Sequence, residues 1–153
     1  MDFNKEEYNL SLKRIEESYK DASYQKYLNK YYKQLERIKE SYSVLNNLGM
    51  LAGTKANELI SLCIQNIELE AKIRKKREYY ERCTFDFSDS YKYLCMIYEK
   101  QQKFDLAADV CISAIRAGYI KDGTKGGMRG RLARAVKRGN LPITDEIAKA
   151  LNI

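Results

Sequence analysis

Between residues 119 and 140 the chain carries Lys121, Lys125, Arg129, Arg131, Arg134, Lys137 and Arg138 against Asp122 alone. That is +6 of the formal +7 of the whole protein. The run Asp122-Gly123-Thr124-Lys125-Gly126-Gly127 reads as a flexible loop leading into a basic helix over 128–138, closed by Gly139. Free N–H groups and the helix dipole at such a junction favour an anion. Clustered Arg and Lys also attract a nucleic-acid backbone, with little base choice and a strong salt dependence. The loop is not a Walker A loop, because G-x4-G-K-[ST] is absent. Lys125, Arg129, Arg131, Arg134, Lys137 and Arg138 are the candidate anion or nucleic-acid contacts, and an acidic protein would fit the same charges. The competing expectation is a terminal capping helix with a polar outer face, seated by the narrow stripe of Met128, Leu132, Ala135 and Val136.

Other chemistry is thinly represented. No histidine is present, so acid–base work near neutral pH would fall to carboxylates, lysine or tyrosine. Glu16, Glu17, Glu36, Glu40, Glu68 and Glu70 stand among lysines and read as solvated helix faces. So does the basic block Lys72, Arg74, Lys75, Lys76 and Arg77. Cys63, Cys83, Cys95 and Cys111 form no C-x2-C pair, and three of them fall on apolar helix faces where cysteine acts as a small hydrophobe. The expectation is no enzyme, no cofactor, no metal, and reduced thiols in a cytoplasmic protein. No run of 18 apolar residues and no apolar segment behind a basic start is present, so neither a membrane span nor a secretory signal is expected. Abundant Lys, Asn, Ile and Tyr without Trp or His suggests an AT-rich bacterial or phage genome.

The elements that would position these residues are helical throughout. Tyr8, Leu12, Ile15, Tyr19 and Ala22 advance by 4, 3, 4, 3. After a register jump at 21–23, Tyr24, Leu28, Tyr31, Leu35, Ile38, Tyr42 and Leu45 repeat the pattern over three heptads. Such a seam needs a partner helix along its length. Either the first helix folds back within the monomer, or the seam forms a homodimer. The jump is a turn, with Ser23 as a cap, or a skip inside one long helix. Leu48-Gly49 and Gly53-Thr54 bracket the next break, Thr54 being the expected cap of a helix running to about Arg82. Ser88 or Asp89 should cap the following helix, and Gly118 should close the one after it. Past Pro142, Thr144 should cap a short helix burying Ile143, Ile147 and Leu151.

Tyr91, Leu94, Cys95 and Tyr98 sit at i, i+3, i+4, i+7, and Phe104, Ala107, Cys111 and Ala114 repeat that period after a polar break at Gln101, Gln102 and Lys103. This spacing resembles the tetratricopeptide (TPR) signature over 89–118, with Tyr91 for the Trp, Cys95 for the Gly and Cys111 for the aromatic. A weaker copy over 41–70 aligns Tyr42 and Leu45 with Tyr91 and Leu94, and Cys63 with Cys111. It departs from the pattern at Gly49 and Asn66. The resemblance implies a binding module whose first helices line a groove for a peptide. Its positions here are Asp89, Lys92, Met96, Glu99 and Lys100, with Lys92 and Lys100 as carboxylate clamps.

The expected fold is therefore all-α, one domain over 1–153. It is an antiparallel helical array with TPR-like pairs and a long heptad-patterned N-terminal helix. Residues 1–47 supply the tyrosine-rich helices, 54–118 the TPR-like pairs, and 119–153 the basic loop and capping helices. The expected function is a non-enzymatic adaptor for a protein or peptide. The alternative is a nucleic-acid-binding regulator acting through 121–138.

Overall fold

The structure, a computed structural model, describes residues 4–153. Residues 1–3 of the expected N-terminal segment lie outside the described residues. The chain is all-α, with α1 (Lys5–Lys20), α2 (Ala22–Asn47), α3 (Asn57–Glu81), α4 (Asp89–Lys100), α5 (Phe104–Arg116), α6 (Gly127–Gly139) and α7 (Asp145–Leu151). Consecutive helices pack on one another, and α3 also takes α1 on its flank.

A turn separates α1 from α2. Its one intervening residue, Asp21, is extended and caps α2 by accepting from the Tyr24 N–H at 3.0 Å, the role expected of Ser23. The heptad residues Tyr24, Tyr31, Leu35, Ile38 and Tyr42 are buried inside the monomer, where α2 lies against α3 and α4. Leu28 and Leu45 are partly buried beside them. The seam is filled by the chain itself, so a second copy would have to meet other residues. Complete burial of Ile38 or Ile73 stabilises the fold by about 1.5–3 kcal/mol each.

α1 behaves differently. Its stripe of Leu12, Ile15 and Tyr19 stays exposed, and no residue of the helix is buried. It is held to α3 by the neighbouring polar face instead. Arg14 stacks 4.3 Å from the Tyr79 ring, Arg82 donates to the Glu7 carbonyl and to Ser11, and Tyr79 donates to Glu17.

Two buried α3 residues, Glu70 and Arg77, depart from the sequence reading. Asn66, Glu70 and Arg77 continue the buried face begun by Leu59, Leu62 and Cys63. The helix keeps its register while the side chains turn polar, so Glu70 and Arg77 are not on a solvated face. Each is engaged inside. The Asn66 amide donates to the Tyr31 carbonyl and to Gln34, and accepts from Ser90 at 2.7 Å. In the proposed alignment Asn66 faces Ala114, and both are fully buried.

Local signals are mixed. A short 3-10 turn (Thr54–Ala56) precedes α3, and Thr54 makes no side-chain cap. Ser88 opens α4 in extended conformation, yet its hydroxyl turns to Glu70. Gly118, at φ +92, ends α5 as expected, with Tyr119 N–H returning to the Ala114 carbonyl. α6 includes Gly139 and is closed by Asn140 in the left-handed region. Thr144 caps α7 through the Ile147 N–H, and Ile147 is buried, but Ile143 is 59% exposed.

Candidate functional site

Two buried polar clusters lie at the centre. Around Glu70, itself 1% exposed, Ser88 Oγ donates at 2.8 Å, Tyr31 Oη at 3.4 Å, and Arg77 Nη1 stands 3.7 Å away. Burial pushes the Glu70 carboxyl above its ordinary range, against the pull of Ser88, Arg77, Tyr119 and Arg74. Arg74 Nε also donates to Tyr119 Oη at 3.1 Å. A carboxylate ringed by tyrosines and arginines has the makings of an acid–base site. This one is sealed from solvent, and its partners come from α2, α3, the loop before α4 and the segment after α5. Its geometry joins elements.

The second cluster overturns part of the reading of the basic end. Arg131 is 6% exposed, not projecting. Its Nε donates to Asp122 Oδ2 at 2.9 Å, and its Nη1 donates to Glu99 at 2.8 and 3.0 Å. Asp122 is fully buried and also accepts from the Thr124 N–H and hydroxyl. Burial would raise its carboxyl, but Thr124 and Arg131 together hold it below the ordinary value. Arg131 thus pins α6 to α4.

The glycine-rich loop is likewise engaged inside the chain. Met128 N–H donates to the Ile120 carbonyl at 2.8 Å and Gly127 N–H to the Thr124 carbonyl, so these first donors of α6 are already satisfied. Gly127 lies at φ +63, where a Cβ would stand 2.6 Å from the Ile120 oxygen. The loop is a closed turn, and these donors form no phosphate cradle. Arg129 Nε donates to the Ala150 carbonyl, seating α7. Lys125, Arg134, Lys137 and Arg138 remain exposed.

The groove expected on α4 is similarly occupied. Asp89 pairs with Lys39 at 3.4 Å, and Glu99 pairs with Arg131. The Lys92 ammonium sits 5.8 Å over the Phe87 ring, and Met96 packs against the core between α2, α3 and α4. Lys100 alone of the five is exposed. The loops before and after this helix pair cover its start, joined by Lys121 N–H donating to the Asp86 carbonyl at 2.7 Å.

The open chemistry is elsewhere, on the outer face of α2. Lys26, Lys30, Lys33 and Arg37 advance by 4, 3, 4, opposite the buried tyrosines, and all four are exposed. They span roughly 16 Å along the helix axis. No ion-pair partner is found for any of them among the described residues. They line an open groove of about 930 Å³ together with the amides of Gln25, Asn29, Gln34 and Gln65, with no carboxylate in its wall. The 4-3-4 spacing was readable in the sequence, but interleaved with the stronger tyrosine heptads of the same helix.

No protein-family model, curated protein or solved structure matches the chain. Among the described residues, no helix is long and apolar enough to cross a membrane, and no cluster of His, Cys, Asp or Glu could hold a metal ion.

Proposed function

We propose that the chain is a non-catalytic interaction module that captures an acidic protein or peptide segment on the outer face of α2. The observation carrying this reading is the stripe of Lys26, Lys30, Lys33 and Arg37, exposed, uncompensated and lining one groove. Like-charged neighbours one helical turn apart repel one another. An anionic ligand relieves that repulsion, and carboxylates at i and i+4 of a bound helix repeat at the same spacing. Side-chain amides beside the cations supply donors and acceptors for a polypeptide backbone. The TPR resemblance around Tyr91–Ala114 points to the same class of activity and, as a proposal, extends to the pair formed by α2 and α3. Buried thiols at Cys63, Cys95 and Cys111 fit a reducing, cytoplasmic setting.

Nucleic acid is the weaker reading. The basic end has lost Arg131 to its ion pairs with Asp122 and Glu99. The test is titration of the full chain with labelled polyglutamate and with mixed-sequence RNA and DNA, each at two salt concentrations. Polyglutamate should bind at low salt and lose most of its affinity in Lys30→Glu/Lys33→Glu. Nucleic-acid binding that survives this double change and falls with Arg134→Ala/Arg138→Ala would return the function to the basic end.

A further inference from the structure

A second groove adjoins the basic one. It has about 440 Å³ between α1, α2 and the end of α3; its walls include Ile15, Tyr19, Leu28, Tyr32 and Tyr80, with one carboxylate, Glu81, among them. The two grooves share Gln25 and Asn29, so they form one continuous surface that changes from cationic to apolar around α2. Ile15 is 44% exposed, Tyr32 53% and Tyr19 74%. Tyrosine at this density is characteristic of surfaces that hold polypeptides, offering large contact area at small entropic cost. Tyr24 also lines this groove. It is 2% exposed, its hydroxyl turned away from solvent.

We infer that this apolar groove seats an aliphatic side chain of the same acidic partner, which makes the partner segment an amphipathic acidic helix. The inference rests on the proposed function, because the adjacent Lys26–Arg37 stripe sets the partner's charge. A helix lying along α2 with acidic residues at i, i+4, i+7 and i+11 meets the cations in register. Leu, Ile or Met about 100° around that helix reaches the apolar groove.

Two labelled 16-residue peptides of equal glutamate content serve as probes, one with leucines flanking the acidic stripe and one with those leucines replaced by glutamine. Anisotropy titrations of the full chain should show the leucine peptide binding about tenfold tighter or more. Ile15→Gln, at an exposed position, should remove that preference while leaving the glutamine peptide's affinity unchanged. Lys30→Glu/Lys33→Glu should weaken both peptides. Equal affinity for the two peptides, both lost in the lysine variant, would overturn this inference and leave the proposed function standing. Affinities indifferent to the lysine variant would overturn both. Self-association of the free chain that disappears in Ile15→Gln would also overturn it, making a second copy the occupant.

Discussion

Replacing Arg131 by alanine tests whether the basic end is a binding surface or a fastening. The guanidinium is 6% exposed and satisfies Asp122, which is fully buried, and Glu99. Removing it strands a buried carboxylate, an arrangement that costs about 3–5 kcal/mol. Total stability for a domain is about 5–15 kcal/mol, so the variant should be severely weakened at pH 7. With a urea slope of about 2 kcal/mol per molar, the midpoint should fall by roughly 2 M. The loss should depend on pH. In the native chain, the lowered pKa of Asp122 contributes stability above its unfolded value, lost as the pH falls through the folded value. In Arg131→Ala, burial acts on Asp122 without the cation, and its folded pKa rises. The penalty is therefore fully present at neutral pH and relieved as the group protonates. Urea unfolding followed by circular dichroism at pH 7 and pH 4 reads both terms. Asp122→Asn in the Arg131→Ala background should recover part of the loss at pH 7. A penalty below about 1 kcal/mol at pH 7, or one independent of pH, would refute the fastening role.

Two further outcomes follow from the geometry. Gly127→Ala should cost about 2 kcal/mol or more, because its Cβ would meet the Ile120 oxygen at 2.6 Å as well as bearing left-handed strain. Gly118→Ala, with nothing within 4 Å, should cost only about 1 kcal/mol. Thermal melts of the pair would isolate the clash, and equal losses would deny it. Asp21 accepts from Lys76, Tyr80 and the Tyr24 N–H, which hold its carboxyl at about 2 instead of the usual 3.8. Its contribution is present above the unfolded value and lost as the pH falls through about 2. The difference in melting temperature between native and Asp21→Asn should therefore shrink as the pH falls from 4 towards 2, and a constant difference would rule this out.

The periodic residues were legible and the fastening residues were not. Tyr24 to Leu45 announced α2 because seven apolar positions keep one period, and Tyr91 to Ala114 announced α4 and α5 in the same way. α1 showed the same period in Tyr8, Leu12, Ile15 and Tyr19, yet it docks through Ser11, Arg14 and Glu17. Period predicts the helix, and a helix carrying two usable faces leaves the choice to its neighbours. Glu70, Arg77 and Arg131 were misread because composition assigns a charge to water by default. Only the partner explains such a residue inside, and Asp122 and Glu99 stand 9 and 32 positions away. The stripe of Lys26, Lys30, Lys33 and Arg37 was visible and masked by the tyrosines between its members.

Asp21 has a wider consequence. It is the single residue between α1 and α2, and its carboxyl is tied to α3 through Lys76 and Tyr80. α1 in turn buries none of its residues, so its attachment depends on a few polar contacts that water can replace. Such a helix is the kind of unit that opens far below the global unfolding free energy. Because α1 forms one wall of the apolar groove, its docking equilibrium and the affinity of the proposed partner would be thermodynamically linked. Under the proposed function, whatever loosens Asp21 would lower the partner's affinity, and a bound partner would slow hydrogen exchange in α1.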